Sequence, residues 1–143
     1  MSTPELDPAM RLAISVIERC IAGDRVPLVP KTLRDYDPTP HLCHHNVREW
    51  VALYPKYKHV YGFFVANRQP ISDGTLVIAH SAVEDTDGAL CDITPSELDV
   101  CYPFVRHLGT LEEFDLIAEK EPFTLEVPNA LLRELGVIRQ KND

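Results

Sequence analysis

Three residues of this chain have the types and surroundings that nucleophilic acyl chemistry needs: Cys43, His80 and Asp92. A thiol attacks only as its thiolate, and the surroundings decide how much thiolate exists. Cys43 stands where a proline-rich stretch gives way to a helical pattern. The positive end of a helix dipole, with backbone N–H groups that lack intrahelical partners, favours negative charge at such a place. The same N–H groups could hold an oxyanion while the sulfur attacks a carbonyl. An imidazole at His80 would take the thiol proton and later return it to a leaving group. A carboxylate at Asp92 would hold the ring in one tautomer and orientation.

Whether His80 and Asp92 meet depends on a turn. The stretch from Ala79 to Glu84, then Asp85-Thr86-Asp87-Gly88, then Ala89 to Pro95 reads as a β-hairpin. A two-residue Asp87-Gly88 turn pairs Val83 with Asp92 and sends the carboxylate to the face opposite His80. A three-residue Thr86-Asp87-Gly88 loop, with Gly88 left-handed in a G1 bulge, pairs Asp85 with Ala89 and Ala82 with Asp92. His80 and Asp92 are then diagonal neighbours on one face, roughly 7–8 Å apart at Cα. Turn chemistry allows both. The second is favoured because it supplies Asp92 with an ionic partner inside an apolar strand.

The elements that must carry these residues follow from periodicity and punctuation. Asp7 is a good N-cap and Pro8 a good first helical residue, and apolar positions recur at Met10, Ile14, Ile17 and Ile21 before Gly23. From Asp24 to Leu42 the prolines at 27, 30, 38 and 40 predict an ordered loop. A second helix is expected from Cys43 to Tyr54, with Cys43, Val47, Trp50, Val51 and Tyr54 on one face, turned toward a sheet, and Arg48 and Glu49 pointing away. Strands are expected over His59–Ala66, Thr75–Val83, Ala89–Ile93 and around Tyr102–His107. Thr110 and Glu113 form a capping box for a short helix to Glu119. Phe123–Val127 suits an edge strand and Asn129–Leu135 a last helical segment. The fold class is therefore α+β, with N-terminal helices packed on an antiparallel sheet, in a single domain over 1–143.

A Cys at a helix start, a His on a strand and an Asp on the next strand, in that order, resembles the papain-like superfamily of cysteine hydrolases in its compact transglutaminase-like and NlpC-like forms. Ala79-His80-Ser81-Ala82-Val83, with Asp87-Gly88 and Asp92-Ile93-Thr94-Pro95 after it, is similar to the His, hairpin and Asp segment of the transglutaminase core. Cys43-His44-His45-Asn46-Val47 resembles the Cys-His-x-Asn-Val start of some small bacterial proteins. The likeness spans residues 36 to 108, followed by an extension over 109–139. It implies a thiol hydrolase or acyltransferase acting on an amide, isopeptide or thioester bond of a peptide-like or small-molecule substrate, without a cofactor. Papain-like proteases also place a Gln upstream of the nucleophile to complete the oxyanion hole, and that position here is Asp37. Tyr36, Thr39 or the loop backbone are the candidates to stand in, as a Tyr does in NlpC-like enzymes. Asn46, one turn along the helix, could reach substrate or cap a loop.

Other readings compete. The same fold could serve as a non-catalytic binding module, with His80 and Asp92 kept as a satisfied core pair, since either is costly to bury alone. Cys43, His44 and His45, with His41 near in sequence, invite a zinc reading. Adjacent histidines point to different sides of a helix, however, and no second ligand pair with finger-type spacing exists, so no metal is expected. His44 and His45 read as a partly exposed first turn. Cys20 and Cys91 read as small buried hydrophobes, Cys101 carries no signal, and Glu84, Asp85 and Asp87 read as a solvated loop tip. A net charge of -8 argues against nucleic acid and anionic membranes as partners. Met1 to Pro8 is polar without the pattern of a signal peptide, from which a cytoplasmic protein is expected.

Overall fold

Asp7 accepts the N–H of Met10 at 2.8 Å and so caps α1 (Pro8–Ile21), where a proline at the first position loses no intrahelical bond. The computed structural model describes residues 6–26, 28–30, 43–67, 70–93, 103–119 and 124–139. After α1 come β1 (Val29–Pro30), α2 (Cys43–Leu53), β2 (Lys58–Asn67), β3 (Gly74–Glu84), β4 (Leu90–Asp92), β5 (Phe104–Arg106), α3 (Leu111–Ala118), β6 (Thr124–Pro128) and α4 (Asn129–Glu134). The expected capping box of α3 is present, with Glu113 N–H donating to Thr110 Oγ1 at 3.2 Å. No helix among the described residues is long and apolar enough to cross a membrane.

β2 and β3 form the long central hairpin, pairing from Lys58 with Glu84 to Asn67 with Thr75. β5 lies antiparallel on the far side of β2, while β4 and β6 share the other edge of β3. β4 takes the end at Val83 and Glu84, and β6 takes the start from Gly74 to Ile78. The stretch Ala79–Ala82 of β3 thus has no strand assigned on that edge among the described residues. The proline-rich segment expected as loop contains β1, which pairs parallel with β4. An edge strand tolerates Pro30, because a missing N–H there breaks no ladder on a second side. The sheet is antiparallel apart from this pair.

The sheet is curled into a half-barrel, and the reason can be read from one short segment. Val26 bridges to Phe104 in β5, yet Val29 already pairs with Cys91 in β4, at the opposite edge. Across a flat sheet those two positions would be about 24 Å apart at the usual strand spacing. Three residues span at most about 11 Å, so the edges must bend toward each other. Leu28 lies between them and packs with Val60, Ala82 and Phe104 inside the curl. The outer face carries the helices. α1 and α3 cover Phe63, Val77, Ala79 and Val105, and α2 sets Val47 and Trp50 on Val83, Cys91 and Ile93. Cys20 and Cys91 are buried among these apolar side chains, as expected.

Candidate functional site

The β3–β4 hairpin adopts the three-residue loop. Val83 pairs with Cys91 and Glu84 with Leu90, a register that continues to set Ala82 opposite Asp92. Asp85 N–H donates to Ala89 O at 3.0 Å, Gly88 N–H donates to Asp85 O at 3.1 Å, and Gly88 has φ +86°. His80 and Asp92 therefore share the inner face of the curl. Nε2 of His80 lies 3.0 Å from Oδ1 of Asp92. The imidazole is buried, with the Phe64 ring tilted against it at 4.3 Å between centroids and Phe104 edge-on at 6.3 Å. Asp85, at the solvent-facing tip, also closes the loop: its Oδ1 accepts the N–H groups of Asp87 at 2.9 Å and Ala89 at 3.0 Å. A carboxylate followed by two residues that can turn forms its own small ring of hydrogen bonds.

Cys43 is the first residue of α2 and is partly buried. The His80 imidazole acts on its thiol through hydrogen bonding and charge, and His44 acts on it in the same way. The helix reaches both faces of the sheet at once. Val47 and Trp50 pack on the outer face, whereas His80 points into the curl, and successive strand residues point opposite ways. The first turn of α2 straddles the edge of β3 where neither β4 nor β6 lies, so that Cys43 meets His80 and His44 meets Ser81. Helical spacing aligns residues along one helix but does not say which strand edge its tip will cross.

Burial opposes ionisation of the Cys43 thiol, but the hydrogen bonds from His44 and His80, and the charge on the rings, outweigh it and bring the thiol down to about 6. Burial likewise opposes charge on His80, but the hydrogen bonds and negative charge of Asp92 and Cys43 outweigh it and raise the imidazole to about 9. Both shifts run in the direction that favours a thiolate beside an imidazolium. That is the ionic state from which a cysteine attacks a carbonyl and a histidine protonates a leaving group.

Three residues of this neighbourhood were not expected from sequence. Nδ1 of His44 lies 2.5 Å from Ser81 Oγ, and Nε2 of His59 lies 2.9 Å from the same oxygen. Ser81 is fully buried, and His59 is stacked on Tyr61 at 4.0 Å between ring centroids. Burial, and after it the nearness of His44 and Arg48, pushes His59 down to about 4. His44, read as a partly exposed turn residue, is thus part of the site, while His45 is exposed and lies 3.2 Å from Glu49. The signal was a coincidence of neighbours: His44 follows Cys43 as Ser81 follows His80, and a helix tip on a strand edge meets both of two successive residues.

Asn46, expected to reach substrate or cap a loop, is fully buried. Tyr36 and Thr39 lie outside the described residues, as do Asp37, His41 and Cys101. Among the described residues no group of three His, Cys, Asp or Glu side chains is disposed to hold a metal ion. Compared with family models, curated proteins and solved structures, the chain matches none.

Proposed function

We propose that this protein is a thiol-dependent hydrolase or acyltransferase that works through an acyl-enzyme on Cys43, with a papain-like or transglutaminase-like arrangement of its core. One observation carries the reading: a buried His80, whose Nε2 is 3.0 Å from Asp92, lowers the pKa of the Cys43 thiol at the start of a helix. The thiolate attacks the carbonyl carbon of an amide, isopeptide or thioester, and the carbonyl π electrons move onto oxygen. The C–N or C–S bond of the tetrahedral species then breaks, with the proton supplied by the His80 imidazolium. Water or a second nucleophile, deprotonated by the now neutral His80, attacks the acyl-enzyme and releases the Cys43 thiolate. Asp92 holds the ring throughout and stabilises its cationic form.

The test is chemical. Cys43 should react with iodoacetamide at pH 7 at least about tenfold faster than an unactivated thiol, as expected for a group ionised near 6 rather than near 9. Incubation with activated thioesters and esters should leave an acyl group on Cys43, detected by intact mass and peptide mapping, and Cys43→Ala should leave none. Ordinary alkylation rates together with no acyl adduct would leave a His–Asp pair that serves only the fold.

A further inference from the structure

β3 presents two successive side chains to the first turn of α2, and the proposed acyl transfer uses only one of them. His80 carries the chemistry. Ser81, on the opposite face of the strand, is fully buried and holds two imidazoles by one oxygen: Nδ1 of His44 at 2.5 Å and Nε2 of His59 at 2.9 Å. His59 stands on β2 two residues before Tyr61, the direct partner of Ser81, so it is the diagonal neighbour on that face. A hydroxyl has one proton, so when both bonds are made Ser81 donates to one ring and accepts from the other. The rings are also fixed from their far sides, His44 edge-on to Phe114 at 5.7 Å and His59 stacked on Tyr61 at 4.0 Å. A serine tied in this way joins α2, β3 and β2 at one point.

We infer that Ser81 and His59 are positioning residues for the acyl transfer at Cys43: through His44 they seat the first turn of α2 and so set the nucleophile in register with His80. The inference rests on that proposed reaction. A helix end frays, because its first four N–H groups lack intrahelical partners. The apolar anchors of α2 are Val47 and Trp50, and Val47 is already about 6 Å along the axis from Cys43 at the usual helical rise. His44 is the residue next to the nucleophile, about 3.8 Å from it at Cα. A tether there restrains Cys43 more closely than packing one turn later. The strand supplies the other half of the register, since His80 and Ser81 are likewise adjacent. Fixing His44 on Ser81 therefore fixes Cys43 relative to His80. Two properties depend on that placement: stabilisation of the thiolate by the imidazolium, and the reach of the ring's proton to the leaving group.

Two esters separate this seating from simple stability. Attack of Cys43 on p-nitrophenyl acetate expels nitrophenolate, which needs no proton. Attack on trifluoroethyl acetate expels an alkoxide, which takes the His80 proton as the C–O bond breaks. The thiolate fraction cancels from the ratio of the two acylation rates, measured at one pH on folded protein. Ser81→Ala should lower the trifluoroethyl-to-nitrophenyl ratio about tenfold. It should also raise the pH midpoint of alkylation by iodoacetamide by about half a pH unit or more. His59→Leu should move both readouts the same way by less, and His59→Gln, whose amide can still bond the hydroxyl, should restore them. That pair gives the reading if Ser81→Ala does not fold. Adding His59→Leu to Ser81→Ala should change neither readout further, because the two residues act through one ring. Variants that lose thermal stability while ratio and midpoint keep their wild-type values overturn the positioning role. A wild-type Cys43 that neither ester acylates overturns the acyl-transfer reading instead, and the alkylation midpoint alone then decides the part played by Ser81.

Discussion

Ala89 donates its backbone N–H to the Asp85 carboxylate at 3.0 Å, and Asp85 donates its own backbone N–H to the Ala89 carbonyl at the same distance. This reciprocal closure selects the three-residue loop over the two-residue turn. A slip of one residue would send Asp92 to the outer face, away from His80. The loop also needs Gly88 at φ +86°, and a Cβ there would meet no atom within 4 Å, so only the backbone conformation resists substitution. Gly88→Ala should therefore cost about 1–2 kcal/mol. Asp85→Ala should cost about 1–2 kcal/mol for its two accepted bonds, while Thr86→Ala, exposed at the tip, should stay within about 0.5 kcal/mol. Urea unfolding of the three variants checks the order, and Thr86→Ala as the most damaging would refute it.

The ionisation of the Cys43–His80 pair predicts a pH profile. Thiol alkylation should rise through about pH 6, where Cys43 loses its proton, and not through the region near 9 where an ordinary thiol titrates. Acyl transfer from a substrate with a poor leaving group also needs the imidazolium, so its rate should fall again through about pH 9. In His80→Ala the thiol loses the hydrogen bond and positive charge of that ring, and the alkylation midpoint should move upward. A wild-type midpoint above pH 8 would contradict the ion pair.

Much of the fold was legible because local signals agreed with one another. Asp7 and Pro8 marked α1, Thr110 and Glu113 marked α3, and the pattern of apolar residues placed β2 and β3 to within a residue or two. The hairpin register was legible as a choice between two turns, and the structure takes the one that joins His80 to Asp92. What sequence did not carry is long-range. The parallel pairing of Val29 with Cys91 and the bridge from Val26 to Phe104 unite residues far apart in the chain, and nothing local announces such contacts. The curl they impose brings Leu28 onto Phe104, one of the two rings that flank His80. His44 was missed for a related reason: its partner Ser81 is 37 residues away, and only the meeting of helix tip and strand edge makes them neighbours.

Asp92→Asn tests what the carboxylate contributes. Asn can still accept from Nε2 of His80 but brings no charge, so the imidazole loses most of what raises it to about 9. Hydrogen bonds to charged groups contribute about 1.5–3 kcal/mol, and the variant should be less stable at pH 6 by roughly that amount. The sign follows from the direction of the shift. A histidine whose folded pKa lies above its ordinary 6.5 stabilises fully below 6.5, and that contribution fades as pH rises through about 9. The gap between wild type and variant in denaturant midpoint should thus shrink from pH 6 to pH 10. A gap that widens over this range would show that Asp92 does not act through the charged ring.

Gly62 sits directly opposite His80 on β2, and its lack of a side chain is what lets Phe104 lie inside the curl. A Cβ at this position would come 2.3 Å from Cζ of Phe104 and 2.6 Å from the carbonyl oxygen of Val105. Neither neighbour can yield cheaply, since the phenylalanine is fully buried and the oxygen belongs to the paired strand β5. Gly62→Ala should therefore destabilise by about 1–3 kcal/mol through overpacking. Phe104 must then move within the apolar wall beside the imidazole, so alkylation of Cys43 near neutral pH should slow as well. Shortening the ring relieves the clash: introduced into Phe104→Leu, the same glycine replacement should cost less than it does in wild type. Thermal or urea unfolding of the two single variants and the double variant measures that coupling. Strictly additive losses would mean that the close approach of Gly62 and Phe104 does not shape the wall against which His80 is held.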